Sequence, residues 1–378
     1  MRGTLVQCAA LALVACLMTG CQMGVTQAHM AFELPEEYNT PDGMTVDPQG
    51  NIILSMPNFN DNTYPAKMMR ITPDDKLEEI VTLPVHPETK KVGPLGVDVA
   101  PNGDLYVADC QALAGDDNHK SRILRVVMKD GKAQRVEVVA TGFVMANAIS
   151  IHGDSVYMTE SNLFSAKETK DMGDQAGLMR SGVYKFKISE LDAKKPYAAQ
   201  KGGKDPHLIV TFETNCPDWV GANGMGFAKN GDMYVCNFGD AQLLKFTFDA
   251  AGKVASKSVV AEGQGMLCAD GMKVHPETGD VYIADFLGNA VHVIDVETGK
   301  ITLLAKNRNN NGSGGKLDRP SEVCIRGSKC YVSNIDLPLA GNKYDVPHSI
   351  SVIDLPTPKA EEAPADAPAP EKAAEEKK

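Results

Sequence analysis

Asp42, Asn147, Asn223 and Asp270 each stand at the head of a short apolar run in this 378-residue chain, three of them followed directly by glycine. Together they offer two carboxylates and two amide oxygens. That is a donor set for a hard cation: Ca²⁺ takes about six to eight oxygens in loose geometry, whereas Zn²⁺ favours His nitrogen and Cys sulfur. Brought together, the four would hold one divalent cation, calcium in the first place. Such an ion would polarise a substrate oxygen bound to it, and a carboxylate beside it could take a proton from an attacking water. No GxSxG elbow supports a covalent serine mechanism, and no HExxH, CxxC or CxxCH spacing supports a zinc or haem site.

What must position these residues is a repeat. The segment Asp42-Gly-Met-Thr-Val-Asp-Pro-Gln-Gly-Asn-Ile-Ile-Leu matches Leu95-Gly-Val-Asp-Val-Ala-Pro-Asn-Gly-Asp-Leu-Tyr-Val, and Asn223-Gly-Met-Gly-Phe-Ala-Lys-Asn-Gly-Asp-Met-Tyr-Val keeps the same frame. Copies at Asp270 and Asn147 differ in turn length, and the copy at Ser321 is looser. The six begin at residues 42, 95, 147, 223, 270 and 321, about fifty apart except for the step from 147 to 223. Each reads as a hairpin: an apolar strand, a turn rich in Asn-Gly or Gln-Gly, then a strand of Tyr, Val and Ile. Further strand-like stretches complete most copies, for example 242–248 and 254–261. Six units of four antiparallel strands predict an all-β, six-bladed β-propeller. The last unit has three clear strands, and an N-terminal strand at 30–34 supplies its fourth, closing the ring.

In such a ring the first strand of every blade lines the central channel. The equivalent positions Asp42, Leu95, Asn147, Asn223, Asp270 and Ser321, with Glu322 one step on, therefore converge on one channel mouth. Asp or Asn before Gly also caps turns, but turn duty predicts one residue type throughout, and Leu95 breaks that pattern. Trp219, the only Trp, lies just before Asn223 and would wall a substrate pocket there, with a core position as the alternative. Asp109, Glu160, Asn237, Asp285 and Asn334 recur after the second strands and read as structural, bonding backbone between blades. The excess of the long step falls in 165–180 and 190–205, read as surface insertions in blade three.

Asn223-Gly-Met-Gly-Phe, followed by Asp270-Gly-Met, resembles the paired motifs of the SMP-30/gluconolactonase/luciferin-regenerating-enzyme family, six-bladed propellers with one catalytic divalent cation in the channel. The resemblance implies metal ligation by Asn223 and Asp270, with Asp270 also the general base, and a contact of Asn147 with a metal-bound water or the substrate. Asp42 falls where the family places a Glu ligand, and its carboxylate reaches one methylene less far. Sugar-lactonase members carry Arg two residues before the third-blade Asn; here that place is Met145, which argues against a sugar-acid lactone. The turns around Asp285 and Asn289 also resemble NHL-type propellers, many of which only bind, so a non-catalytic propeller that holds a ligand or protein partner is the alternative to a lactonase or esterase.

A net charge of −11 with no basic cluster excludes a nucleic-acid partner. Residues 1–20 read as a lipoprotein-type signal: a short apolar stretch ends in Leu17-Met18-Thr19-Gly20-Cys21, where Cys21 would be lipidated, an ordinary signal peptide being the other reading. The expected product is a bacterial cell-envelope protein held to the membrane by its lipid alone, with a linker at 21–29, the propeller at 30–355 and a disordered Ala/Pro/Glu/Lys tail at 356–378. A small-molecule lactone or ester is the expected partner, and a monomer the expected state. Six cysteines remain beyond Cys21; Cys324 and Cys330, flanking one turn, are either a disulfide or two buried apolar side chains.

Overall fold

The computed structural model describes residues 25–115, 119–171, 177–215, 220–339 and 341–355. Strand β1 (His29–Leu34) comes first, followed by blade one: β2 (Met44–Val46), β3 (Ile52–Met56), β4 (Lys67–Ile71) and β5 (Leu77–Thr82). Blade two holds β6 (Pro94–Val99), β7 (Leu105–Asp109), β8 (Ser121–Lys129) and β9 (Lys132–Phe143). Blade three holds β10 (Ala146–His152), β11 (Ser155–Phe164), β12 (Met179–Lys187) and, after β13 (Tyr197–Ala198), β14 (Leu208–Thr214). Blade four is β15 (Ala222–Phe227), β16 (Met233–Asn237), β17 (Gln242–Phe248) and β18 (Val254–Glu262). Blade five is β19 (Met272–Val274), β20 (Val281–Asp285), β21 (Ala290–Asp295) and β22 (Lys300–Lys306). Blade six is β23 (Pro320–Arg326), β24 (Lys329–Asn334) and β25 (His348–Asp354), with β1 antiparallel to β25 as its outer strand.

Five blades have four antiparallel strands and blade two has five. The extra one is β13, from the second blade-three insertion, whose Tyr197 and Ala198 pair in parallel with Ala140 and Thr141 of β9. Part of that insertion thus covers the outer edge of blade two instead of standing as a free surface loop. An exposed outer strand leaves unpaired backbone groups, and β13 satisfies part of that edge.

The second strand of a blade is sandwiched between neighbours, so both its faces must be apolar. In β3, β7, β16 and β20 every residue is buried. Alternate side chains enter alternate interfaces: Val235 packs with blade three beside Tyr157, and Cys236 with blade five beside Met272 and Ile283. Six buried clusters result, one at each blade junction, including the junction of blades six and one around Leu54, Tyr331 and Ile350. Each fully buried side chain of this size contributes about 1.5–3 kcal/mol of burial.

The same alternation overturns a Cys324–Cys330 disulfide. Cys324 pairs with Tyr331 and Ile325 with Cys330, so the two sulfurs leave the sheet on opposite faces. Cys324 packs at the junction with blade one and Cys330 at the junction with blade five. Both are free and buried. Cys21, Cys216, the signal segment and the tail lie outside the described residues.

Candidate active site at the channel mouth

Each ring residue is delivered by a loop that a buried side chain holds in place. Asp109 Oδ1 accepts from Gly93 N at 2.8 Å, Glu160 Oε2 from Val144 N at 2.9 Å, Asp285 Oδ1 from Cys268 N at 3.1 Å and Asn334 Oδ1 from Asp318 N at 3.0 Å. These four residues are structural, and each fastens the segment entering its own blade. Asn237 does bond between blades: its Oδ1 accepts from Thr214 Oγ1 at 2.8 Å and its Nδ2 donates to Glu213 O at 3.3 Å, both on the outer strand of blade three. Without such acceptors the buried N–H groups of these crossovers would lose about 1–3 kcal/mol each.

The glycine after the ring residue lets the inner strands crowd the axis. A Cβ on Gly96 would lie 2.6 Å from Ala148 Cα, and one on Gly224 would lie 2.6 Å from Asp270 O. Neither glycine has a positive φ. The Asp-Gly and Asn-Gly pairs are therefore strand entries packed against their neighbours, and not turns. Backbone bonds knit the inner ring: Gly224 N donates to Asp270 O at 3.1 Å, and Gly271 N to Ser321 O at 2.8 Å.

Asp42, Leu95, Asn147, Asn223, Asp270 and Ser321 all line one pocket on the axis, and Glu322 joins them at the constriction below it. Asn147 Nδ2 donates to Ser161 Oγ at 3.1 Å, while that hydroxyl donates to Ala222 O. With its N–H committed, Asn147 has its Oδ1 left for a ligand. The Asn223 side chain lies beside Asp270, and that of Ser321 beside Asp42, and each lowers the pKa of its carboxylate neighbour. Trp219 lies outside the described residues.

A second inward layer sits three residues further along each first strand. Thr45 Oγ1 donates to Asp98 Oδ1 at 3.0 Å, and Ile151 N to Asp98 Oδ2 at 2.7 Å. Lys273 Nζ lies 3.2 Å from Glu322 Oε2. The Lys273 ammonium also acts on Asp42 and Asp98. Burial raises the pKa of Asp42 to about 6, against hydrogen bonds from Ser321 and Gly43. It raises Glu322 to about 7, against the pull of Lys273. Asp270 is pushed well above the carboxylate range by burial first, then by the charges of Asp42 and Glu322. Such a surplus of buried negative charge is what a bound cation would neutralise. Oxygen-only donors, two of them carboxylates and two amides, suit a divalent ion of the calcium type.

The walls above this floor are apolar. Met145, Phe238, Phe286 and Ile335 line the pocket from one buried cluster, and Leu337 and Leu339, half-buried, pack against it. Phe238, Phe286 and Ile335 each follow the polar residue that ends a second strand, as in Asn237-Phe238, Asp285-Phe286 and Asn334-Ile335. That repeat register was readable in the sequence, as was the inward layer of Thr45, Asp98 and Lys273. Sequence reasoning missed both because it followed only the position with oxygen donors.

The fold and this mouth define an all-β six-bladed propeller with an acidic, amide-bearing channel floor under an apolar rim. The architecture fits the SMP-30/gluconolactonase/luciferin-regenerating-enzyme propellers. Among solved structures it is similar to a luciferin-regenerating enzyme, at TM-score 0.57 and 12% identity over 87% of this chain and 95% of that one. A gluconolactonase from Xanthomonas campestris is similar at TM-score 0.51 and 13% identity, over 88% of this chain and 97% of that one. So is the PQQ-bound aldose sugar dehydrogenase of Streptomyces coelicolor, at TM-score 0.54 and 15% identity, over 88% and 98%. The sequence matches no family model and no curated protein. At these identities the likeness is one of fold, and fold alone does not choose a reaction.

Proposed function

We propose that this protein is a calcium-dependent hydrolase of a lactone or ester with an apolar substituent, exported and lipid-anchored through Cys21 in a bacterial cell envelope, where it works as a monomer. The observation that carries the reading is that Asp42, Asn147, Asn223 and Asp270, from four different blades, line one axial pocket with an apolar rim. A cation held by these four would polarise the substrate carbonyl and stabilise the negative charge that forms on its oxygen. Asp270 takes a proton from the attacking water. The C–O bond of the ester then breaks, and the proton passes to the departing alkoxide, giving a hydroxy acid from a lactone.

Met145 and its apolar neighbours select the substrate. No cationic side chain lines the pocket among the described residues, so a sugar acid would find no charged partner there. An alkyl chain would gain about 0.8 kcal/mol for every methylene buried, or roughly fourfold in kcat/KM. The test is a series of lactones and aryl esters of increasing chain length, assayed with calcium or with chelator. Calcium-dependent turnover that rises with chain length, and that falls by about two to four orders of magnitude in Asp270→Asn with the fold intact, is expected. Calcium binding without turnover on any member would replace the hydrolase by a ligand-binding propeller. Radiolabelled palmitate incorporated by the wild type and lost in Cys21→Ala checks the anchor.

A further inference from the structure

A second group of oxygens lies beside the mouth, in blade six. Asp318 precedes β23, Asp336 follows β24, and Asp345 ends the loop that returns to β25. One carboxylate oxygen from each lies within 4.8 Å of the others. Oxygens on opposite sides of one Ca²⁺, each at about 2.4 Å, are about that far apart. Asp318 and Asp336 are 3% and 4% exposed and Asp345 is half-buried, so water screens the first two charges far less than it would on a surface.

The independent sign is a set of buried oxygens with nothing to bond. Asp318 Oδ1 is fully buried and unpartnered, and Asp345 Oδ1 is also without a partner. Asn342 donates from Nδ2 to Asp336 Oδ1 at 2.7 Å, which fixes its amide beside the cluster, and its own Oδ1 is buried and unpartnered. A buried polar atom left unbonded costs about 1–3 kcal/mol, more for a charged group. Repulsion from Asp336 and Asp345 adds to burial in raising Asp318 to about 8, and Arg319 opposes it. Lys343 and His348 act on Asp345 alone, so the buried pair Asp318 and Asp336 has only Arg319 against it, a surplus that a divalent ion cancels.

We infer that Asp318, Asp336 and Asp345, with Asn342 Oδ1, form a second, structural cation site for Ca²⁺, separate from the channel. The donors are oxygen only, which selects a hard ion. Its place in the fold gives it a role. Asp318 lies three residues before the ring residue Ser321, and the loop bounded by Asp336 and Asp345 carries Leu337 and Leu339 of the pocket rim. An ion here ties that loop to the strand entry and so sets the rim. Asn60 Nδ2 braces the same loop from blade one, donating to Asp336 O at 3.0 Å.

The test uses the full chain stripped with chelator and re-equilibrated with calcium chloride, counting bound calcium by elemental analysis and recording Tm. Wild type is expected to bind two ions, Asp318→Asn and the milder Asp345→Asn one each, and Asp270→Asn one. The calcium-induced rise in Tm should shrink in Asp318→Asn and Asp345→Asn, while their Tm in chelator is unchanged or higher, because a repelling charge is gone. A wild type with one ion that Asp270→Asn keeps and Asp345→Asn loses would sink the channel reading and leave this one standing. Unchanged stoichiometry and an unchanged calcium response in both blade-six variants would overturn it, showing that shared protons hold the cluster.

Discussion

Lys273 Nζ lies 3.2 Å from Glu322 Oε2, an ion pair between the innermost strands of blades five and six, just inside the ring that Asp270 and Ser321 help to form. It is the cation among the carboxylates of the channel. Lys273→Met would leave Glu322 buried and uncompensated. A destabilisation of about 2–4 kcal/mol is expected, below the full cost of breaking a wholly buried pair because the lysine keeps some solvent. Adding Glu322→Gln should restore most of the loss. Urea unfolding of the two single variants and the double variant measures the coupling, and additive losses would show that the pair contributes nothing.

The raised carboxylates make the effect of calcium depend on pH. Folding lifts Asp42 to about 6 and Glu322 to about 7, above the value near 4 that such groups hold unfolded. Between about pH 4 and 7 the folded chain keeps protons that the unfolded chain has lost. In chelator their contribution to stability is therefore full below about pH 4 and declines as pH rises to about 7. Cation binding needs the carboxylates ionised, so its stabilisation grows over the same window. The difference in Tm between calcium and chelator should increase from about pH 5 to about pH 8. A difference that does not move with pH would separate calcium from these side chains.

Close approach of the inner strands predicts a sharp contrast between two neighbouring glycines. Gly224→Ala drives a Cβ toward Asp270 O and Gly271 Cα, both backbone atoms that cannot move without opening the ring. It should destabilise by about 1–3 kcal/mol and weaken calcium binding. Gly226→Ala meets only the side-chain ends of Val274 and Met272, at 3.3 and 3.4 Å, and should be tolerated. Thermal melts and calcium titrations of the two variants make the comparison, and equal behaviour would contradict the packing argument.

Opposite-face placement of Cys324 and Cys330 predicts that neither sulfur bonds the other. Alkylation in denaturant without reductant should label both, and peptide mass analysis should find no linked 324–330 peptide. Burial pushes the Cys324 thiol up to about 12, so in the native protein it should resist alkylation.

Much of the candidate site is legible in the repeat. Because equivalent positions of a closed ring share one radius and one height, aligning Asp42, Asn147, Asn223 and Asp270 in the sequence already places them at one mouth. The same alignment holds the rim, through Phe238, Phe286 and Ile335, and the deeper layer of Asp98 and Lys273. The Asp318, Asp336 and Asp345 cluster is not legible in this way. Asp345 lies in a loop specific to blade six, and no repeat register relates it to Asp318.

What the sequence determined by itself is periodic: six hairpins, strands buried on both faces, and oxygen donors at one recurring place. Local backbone preferences and apolar patterning are enough for these, since each acts within a single unit. The tertiary structure alone decided the features that depend on which side chains meet across units. It put β13 on the edge of blade two, sent Cys324 and Cys330 into different junctions, and paired Lys273 with Glu322. It also left the oxygens of blade six facing one another without partners. Such contacts follow from the angle at which blades pack about the axis, a property of the closed ring and not of any one segment.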